Sequence, residues 1–327
     1  MNYSSAERYE KMIYRRCGNT GLMLPLISLG FWHNFGADAN IGEMRKTVYS
    51  AFDNGITHFD LANNYGPPPG SAEEHFGAIL KDFPYRDEIV IATKAGYKMW
   101  EGPYGDFGSR KYMLASLDQS LKRMGLSYVD IFYHHRPDPN TALEESMLAL
   151  DTAIKQGKAL YAGISNYNAS QTRKAIEVLH ELKTPFVLNQ CKYSMLKREI
   201  EEDGVLSELE QGGAGFIAFS PLAQGLLTGK YLKTIPADSR ISSESIFLNK
   251  EDLTPELHDK LSRLNSVAME RGQSLTQMAL SWVLKDERVT SVIVGARNAA
   301  QLSENIGAIK NVEFSDEEIE LIDEILA

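Results

Sequence analysis

Apolar residues along the chain follow two alternating patterns. Short, mostly apolar runs rich in Val, Ile and Phe occupy residues 26–30, 57–60, 89–93, 129–133, 160–165, 186–190, 215–220 and 291–294. Strands buried on both faces read this way. Between the runs lie longer segments with apolar residues at helical spacing. Within 43–54 these are Met44, Val48, Ala51 and Phe52, and Gly55 stops the segment. Segment 72–82 carries Phe76, Ile79 and Leu80, and 111–124 carries Leu114, Leu117 and Leu121 before Gly125. Segments 141–156, 170–181, 205–211, 275–285 and 298–309 complete the set, and 255–271 and 316–326 are extra helices. Eight strand-then-helix units predict a parallel sheet closed as a (β/α)8 TIM barrel. Ahead of it, Gly18-Asn19-Thr20-Gly21 forms a turn between two short strand-like pieces, an N-terminal β-hairpin.

The rival architecture is a doubly wound open sheet. If it bound a dinucleotide it would carry a glycine-rich fingerprint after its first strand, and no GxGxxG occurs in the chain. There is no linker or shift of composition, so a single domain over 1–327 is expected. Residues 221–254 are long and poor in pattern. They follow the seventh strand, on the face where barrel sites lie, and are expected to close over a bound cofactor.

Composition narrows the function. The net charge is −10 with both signs mixed, which argues against nucleic acid or an anionic membrane as partner. No stretch approaches the roughly 20 apolar residues of a membrane helix, and residues 1–16 lack the apolar core of a secretory signal. Two distant cysteines, Cys17 and Cys191, show no zinc spacing and fit a reduced, cytoplasmic protein. No HxH pair ends the first strand, so a metal site is not expected.

In a barrel, residues just past each strand converge on one mouth. Here they are Trp32 and His33, Asp60 and Tyr65, Lys94, His134 and His135, Ser165 and Asn166, Gln190, Phe219 and Ser220, and finally Gly295 and Arg297. Each alone has a bland reading: Asp60 as a turn cap, Lys94 as a solvated strand end, Tyr65 as packing, His135 as a core histidine. Together they carry one chemistry. A phenol is a poor acid at neutral pH, and a nearby ammonium favours its ionised form. Asp60 can hold Lys94, Lys94 can lower the Tyr65 pKa, and His135 can donate to a substrate oxygen. That set suits protonation of a carbonyl oxygen while a nucleophile such as hydride attacks its carbon.

Over nearly its whole length the chain resembles the aldo-keto reductases. The matching segments include Gly55-Ile56-Thr57-His58-Phe59-Asp60 with Tyr65-Gly66, Ala92-Thr93-Lys94, His135-Arg136-Pro137-Asp138 and Gly163-Ile164-Ser165-Asn166. Phe219-Ser220-Pro221-Leu222 with Gly225-Leu226-Leu227-Thr228-Gly229, and Gly295-Ala296-Arg297 with Gln301 and Glu304-Asn305-Ile306, continue the series. Within the family, Trp32-His33-Asn34-Phe35, the loop 66–70 with Ser71-Ala72-Glu73-Glu74, and Ser109-Arg110-Lys111-Tyr112 look like the bacterial L-glyceraldehyde-3-phosphate reductase group, a relative of the potassium-channel β subunits.

The resemblance implies hydride transfer from NADPH to a small aldehyde. Tyr65 would give the proton, with Lys94, Asp60 and His135 in support. Trp32, Asp60, Ser165, Asn166, Gln190 and Phe219 would meet the nicotinamide half. Ser220, Pro221, Leu222, Gly225, Leu226, Lys230, Arg240, Gly295, Arg297, Gln301, Glu304 and Asn305 would meet the phosphates and adenosine, with Arg297 on the 2′-phosphate. Trp32, His33, Tyr65, Trp100 and His135 would line the substrate side, with Tyr97 and Met99 as further walls. His33, Lys98, Arg110 and Arg136 are cations available to a substrate phosphate. The implied substrate is L-glyceraldehyde 3-phosphate, with methylglyoxal-type carbonyls beside it, and relatives suggest a homo-oligomer. The alternatives are a general aldehyde reductase without phosphate preference and an NADP(H)-sensing regulator like the channel subunits. A Schiff-base aldolase using Lys94 would also fit a barrel.

Overall fold

In the computed structural model, which describes residues 6–232 and 253–327, the eight predicted runs close into a parallel barrel. A short antiparallel pair comes first, β1 (Tyr14–Arg16) with β2 (Met23–Pro25). The barrel strands are β3 (Ile27–Gly30), β4 (His58–Asp60), β5 (Val90–Ala95), β6 (Val129–His134), β7 (Ala159–Ser165), β8 (Phe186–Lys192), β9 (Gly215–Phe219) and β10 (Val289–Val294). They lie in chain order, and β10 pairs with β3 to close the ring.

Helices cover the outside: α1 (Ile41–Asp53), α2 (Ser71–Leu80), α3 (Arg110–Met124), α4 (Leu143–Lys155), α5 (Ala169–Glu181), α6 (Glu199–Asp203), α7 (Val205–Gln211), α8 (Pro255–Glu270), α9 (Leu275–Leu284), α10 (Ala299–Ile306) and α11 (Asp316–Leu326). Their starts are capped as the sequence directs. The Ser109 side chain accepts from the Tyr112 amide, and Asn168, Ser274 and Ser315 form reciprocal capping boxes. The last barrel helix is shorter than expected. It ends at Ile306 and tightens into a 3-10 turn, Gly307–Lys310. The turn presses on α9, where a Cβ on Gly307 would meet Gln277 Nε2 at 2.3 Å.

Inside the barrel, Ala92, Ile131, Tyr133, Leu188, Ile217 and Ile293 pack with Cys17 and Leu24 of the hairpin region. The hairpin therefore stops the end of the barrel where strands begin. Asn19 donates to the Gly213 carbonyl, and Arg15 to those of Asp286 and Val289. The opposite end, where strands finish, is left to polar groups.

Candidate active site

Asp60 closes β4 and Lys94 lies one residue inside the end of β5, not beyond it as expected. The ladder pairs Lys94 with Tyr133 and continues past the apolar run, because strand pairing uses backbone groups and is indifferent to an inward polar side chain. His134 and Gln190 likewise lie within β6 and β8. The polar ring is thus sunk into the barrel mouth. Two glycines make room for it: a Cβ on Gly163 would meet the Tyr133 ring at 2.5 Å, and one on Gly30 would meet Ile293 at 2.5 Å.

The centre is a continuous hydrogen-bonded chain. Lys94 Nζ donates to Asp60 Oδ2 at 2.6 Å, to the Leu61 carbonyl at 2.7 Å and to the Tyr65 hydroxyl at 3.3 Å. Gln190 Nε2 donates to the other Asp60 oxygen at 3.0 Å. Lys94 and Asp60 are 0% and 1% exposed, so each charge depends on the other. Burial lowers the Lys94 pKa, and Asp60 opposes that shift. Burial pushes the Tyr65 phenol well above its usual value, and Asp60 and Tyr97 add to the rise. The expected lowering by Lys94 does not outweigh burial here, so Tyr65 keeps its proton and is an acid, not a base. Its backbone is tied to the first turn of α2, since Gly70 N and Ala72 N donate to the Tyr65 carbonyl.

His135 stands beside Tyr65, rings 5.9 Å apart and edge-on. Burial first, then Lys94, His134 and Arg136, drives its pKa well below 6.5, so the ring is neutral. Its Nδ1 is sealed in without a partner, which leaves Nε2 as the accessible nitrogen. His134 points elsewhere: its Nδ1 meets the Tyr167 hydroxyl at 2.6 Å, and burial lowers its pKa to about 4.

A groove of about 1060 Å³, counting its open mouth, runs from this centre between the ends of β3, β9 and β10. Of the expected cofactor residues, Trp32, Asp60, Phe219, Ser220, Pro221, Leu222, Gly225, Lys230, Gly295, Arg297 and Gln301 line it. Ser165, Asn166, Gln190, Leu226, Glu304 and Asn305 do not. Ser165 donates to the Gln190 carbonyl, and Asn166 to that of His135. Leu226 packs with Tyr231, and Ser274 donates to Glu304. Arg240 lies outside the described residues, as does most of the segment expected to close over the groove. Gln224, within the 220–227 segment expected against the phosphates, also lines the groove, and Asn34, Thr228 and Tyr231 line it without having been anticipated. Thr228 sits inside the Gly225-Leu226-Leu227-Thr228-Gly229 pattern, and Gln224 directly precedes it.

The groove's chemistry fits an extended anionic dinucleotide. Lys230 and Arg297 supply charge, and Asn298 caps α10 beside Arg297. Ser220, Ala223, Gln224 and Gly225 have φ of 54°, 46°, 60° and 102°, a cluster of left-handed residues that persists only where surrounding structure holds it. Asn305, which does not line the groove, is 1% exposed with both amide atoms unpartnered.

The substrate side differs more from expectation. The Trp32 and His33 rings lie 3.9 Å apart, tilted by 38°, and Trp32 approaches Tyr65. Trp100 instead packs on Tyr112. Tyr97 meets His135 edge-on at 4.7 Å. Arg136 is committed to structure: its guanidinium lies between the Tyr97 and Phe107 rings and donates to the Gly96 carbonyl and Asp106. Lys98 pairs with Glu101, and Arg110 donates to the Leu148 carbonyl. Among the described residues no group of three or more His, Cys, Asp or Glu side chains is placed to hold a metal ion. None of their helices is long and apolar enough to cross a membrane.

The aldo/keto reductase family model matches residues 26–327. The chain is 58% identical to L-glyceraldehyde 3-phosphate reductase of Escherichia coli O157:H7 and 56% identical to that of strain K12. Each alignment covers 99% of this chain and 95% of the relative. It is 36% identical to a probable voltage-gated potassium channel subunit beta of Oryza sativa subsp. japonica, covering 91% of each.

Proposed function

The chain belongs to the aldo/keto reductase family, and from that premise we propose that it reduces small aldehydes with NADPH, chiefly L-glyceraldehyde 3-phosphate to glycerol 3-phosphate. Methylglyoxal-type carbonyls are secondary substrates. The observation that carries the reading is the buried Asp60–Lys94–Tyr65 chain ending at the head of an anion-suited groove. NADPH, when bound, supplies the hydride. Tyr65 donates its proton to the carbonyl oxygen as negative charge develops there. The Lys94 ammonium, 3.3 Å from the phenol, stabilises the phenolate left behind, and Asp60 keeps Lys94 charged. The accessible His135 nitrogen orients the carbonyl. Lys230 and Arg297 hold phosphate, and Trp32 walls both ligands. The same reading makes the protein a cytoplasmic homo-oligomer of single-domain subunits, which light scattering and a single calorimetric transition would check.

The test is NADPH consumption with L-glyceraldehyde 3-phosphate by the intact protein and by Tyr65→Phe. Turnover should fall by about 10²–10⁴ in the variant, with NADPH binding retained. No turnover by the intact protein while NADPH still binds would sink the substrate assignment and favour a sensing role.

A further inference from the structure

A substrate phosphate needs a donor near Tyr65, and the contacts of the four available cations differ. Arg136 is held between two rings and by Gly96 and Asp106. Arg110 donates to the Leu148 carbonyl, and Lys98 pairs with Glu101. His33 is exposed, its ring lies 3.9 Å from that of Trp32, and the Trp32 ring lies 6.5 Å from that of Tyr65. Its two neighbours, Trp32 and Asn34, line the groove, and His33 itself does not. We propose that His33 is a specificity-determining residue that donates an imidazole N–H to the phosphate of a three-carbon aldehyde whose carbonyl lies at Tyr65. This rests on the reductase reading above and deepens it, since it names the residue that makes a phosphorylated substrate preferred.

The backbone at His33 is unusual as well. Asn34 N donates to the Trp32 carbonyl at 2.9 Å and closes a tight turn with His33 at its centre, at a φ of 64°. A turn of that hand is rare and strained for a residue with a side chain, and it persists only where its surroundings hold it. Here they do. Phe31 and Phe35, on either side, are buried with ring centroids 4.1 Å apart. Ala37 N donates to the Pro67 carbonyl at 2.8 Å, which ties this loop to the one that follows Tyr65. His33 is therefore held in place relative to the proton donor, and the turn sends the residues before and after it to the groove while His33 stays outside. A three-carbon chain confines its phosphate to the neighbourhood of its carbonyl, and His33 is two ring contacts from Tyr65. Imidazole donates an N–H in either protonation state, and the charged form makes the stronger bond.

The test compares L-glyceraldehyde 3-phosphate with methylglyoxal at saturating NADPH and reads the ratio of their kcat/KM values. His33→Gly removes the donor and suits the positive φ. In it the ratio should fall about tenfold or more, mainly through KM for the phosphorylated substrate, as expected for the loss of a charge-assisted bond. His33→Lys returns a cation without the ring and should recover most of that loss. An unchanged ratio in His33→Gly would overturn the inference. So would a raised NADPH Kd, read by cofactor fluorescence, at an unchanged ratio, since it would put His33 on the cofactor. An equal fall in the glycine and lysine variants would assign the effect to ring packing on Trp32 and overturn the phosphate contact. A fall seen in Lys98→Met and not in His33→Gly would move the phosphate to Lys98. Should His33→Gly not fold, His33→Ala takes its place with the same expectation. Wild-type protein inert toward every aldehyde would sink the reductase reading and this inference with it. Wild type that reduces both substrates with equal kcat/KM would leave the reductase reading standing and sink the phosphate contact alone.

Discussion

Asp60 and Lys94, on the floor of the mouth, are almost wholly buried and tied by bonds of 2.6–3.3 Å to each other, Gln190, Tyr65 and the Leu61 carbonyl. Lys230 and Arg297, on the rim of the groove, are exposed. Both pairs of positions handle charge. On the floor, desolvation is severe, so a charge survives only with its partner in place, and the geometry is preset before any ligand arrives. On the rim the side chains are exposed, which suits binding and release. Chemistry is placed where motion is costly and recognition where it is cheap.

The comparison breaks most clearly on the floor. Lys94→Met should leave Asp60 as a lone buried charge, at a cost of about 3–5 kcal/mol. Denaturant unfolding reads that loss, and turnover should fall with it. Unchanged stability would mean the pair is not needed to hold the mouth.

Acid should find the same dry interior. Burial lowers the pKa of His58 and His134 to about 4, from an unfolded value near 6.5. Between those values the unfolded chain binds more protons, so stability falls as pH drops from 6.5 through 4. Each histidine contributes on the order of 3 kcal/mol across that window. Unfolding curves that do not move over that range would contradict the neutral, buried state of both rings.

The rim should respond by less and in another variable. Arg297→Ala should weaken NADPH by about 1.5–3 kcal/mol, the value of a charge-assisted hydrogen bond, with kcat little changed. A fall in kcat at saturating cofactor would blur the floor–rim distinction. The smallest expected effect is none. His135 is already neutral because its pKa lies well below 6.5, so kcat/KM should cross that pH without a step. A step removed by His135→Gln would show that the ring titrates there.

Much of this was legible locally. Apolar runs marked the strands because both faces of a barrel strand are dry. Gly55 and Gly125 marked helix ends because each takes a positive φ, 80° and 67°. Asp60, Tyr65, Lys94 and His135 could be read as a set because successive strand ends meet in this topology. The strand ends themselves were misplaced. Lys94 and His134 continue their ladders as polar residues, and polarity hides a strand that the backbone continues. The groove lining was less legible, since Asn34 and Tyr231 reach it only through the packing of separate loops.

The sequence by itself determined the architecture and the kinds of chemical group at the mouth, because periodicity and residue type are properties of neighbours along the chain. Tertiary structure decided who holds whom. Arg136 looked available to a phosphate until Asp106, Tyr97 and Phe107 closed on it. Gln190 donates to Asp60, 130 residues away, a contact that no local pattern announced. The same packing buries the Tyr65 phenol, which raises its pKa. Desolvation depends on everything packed around a group, and no local pattern in the chain encodes that sum.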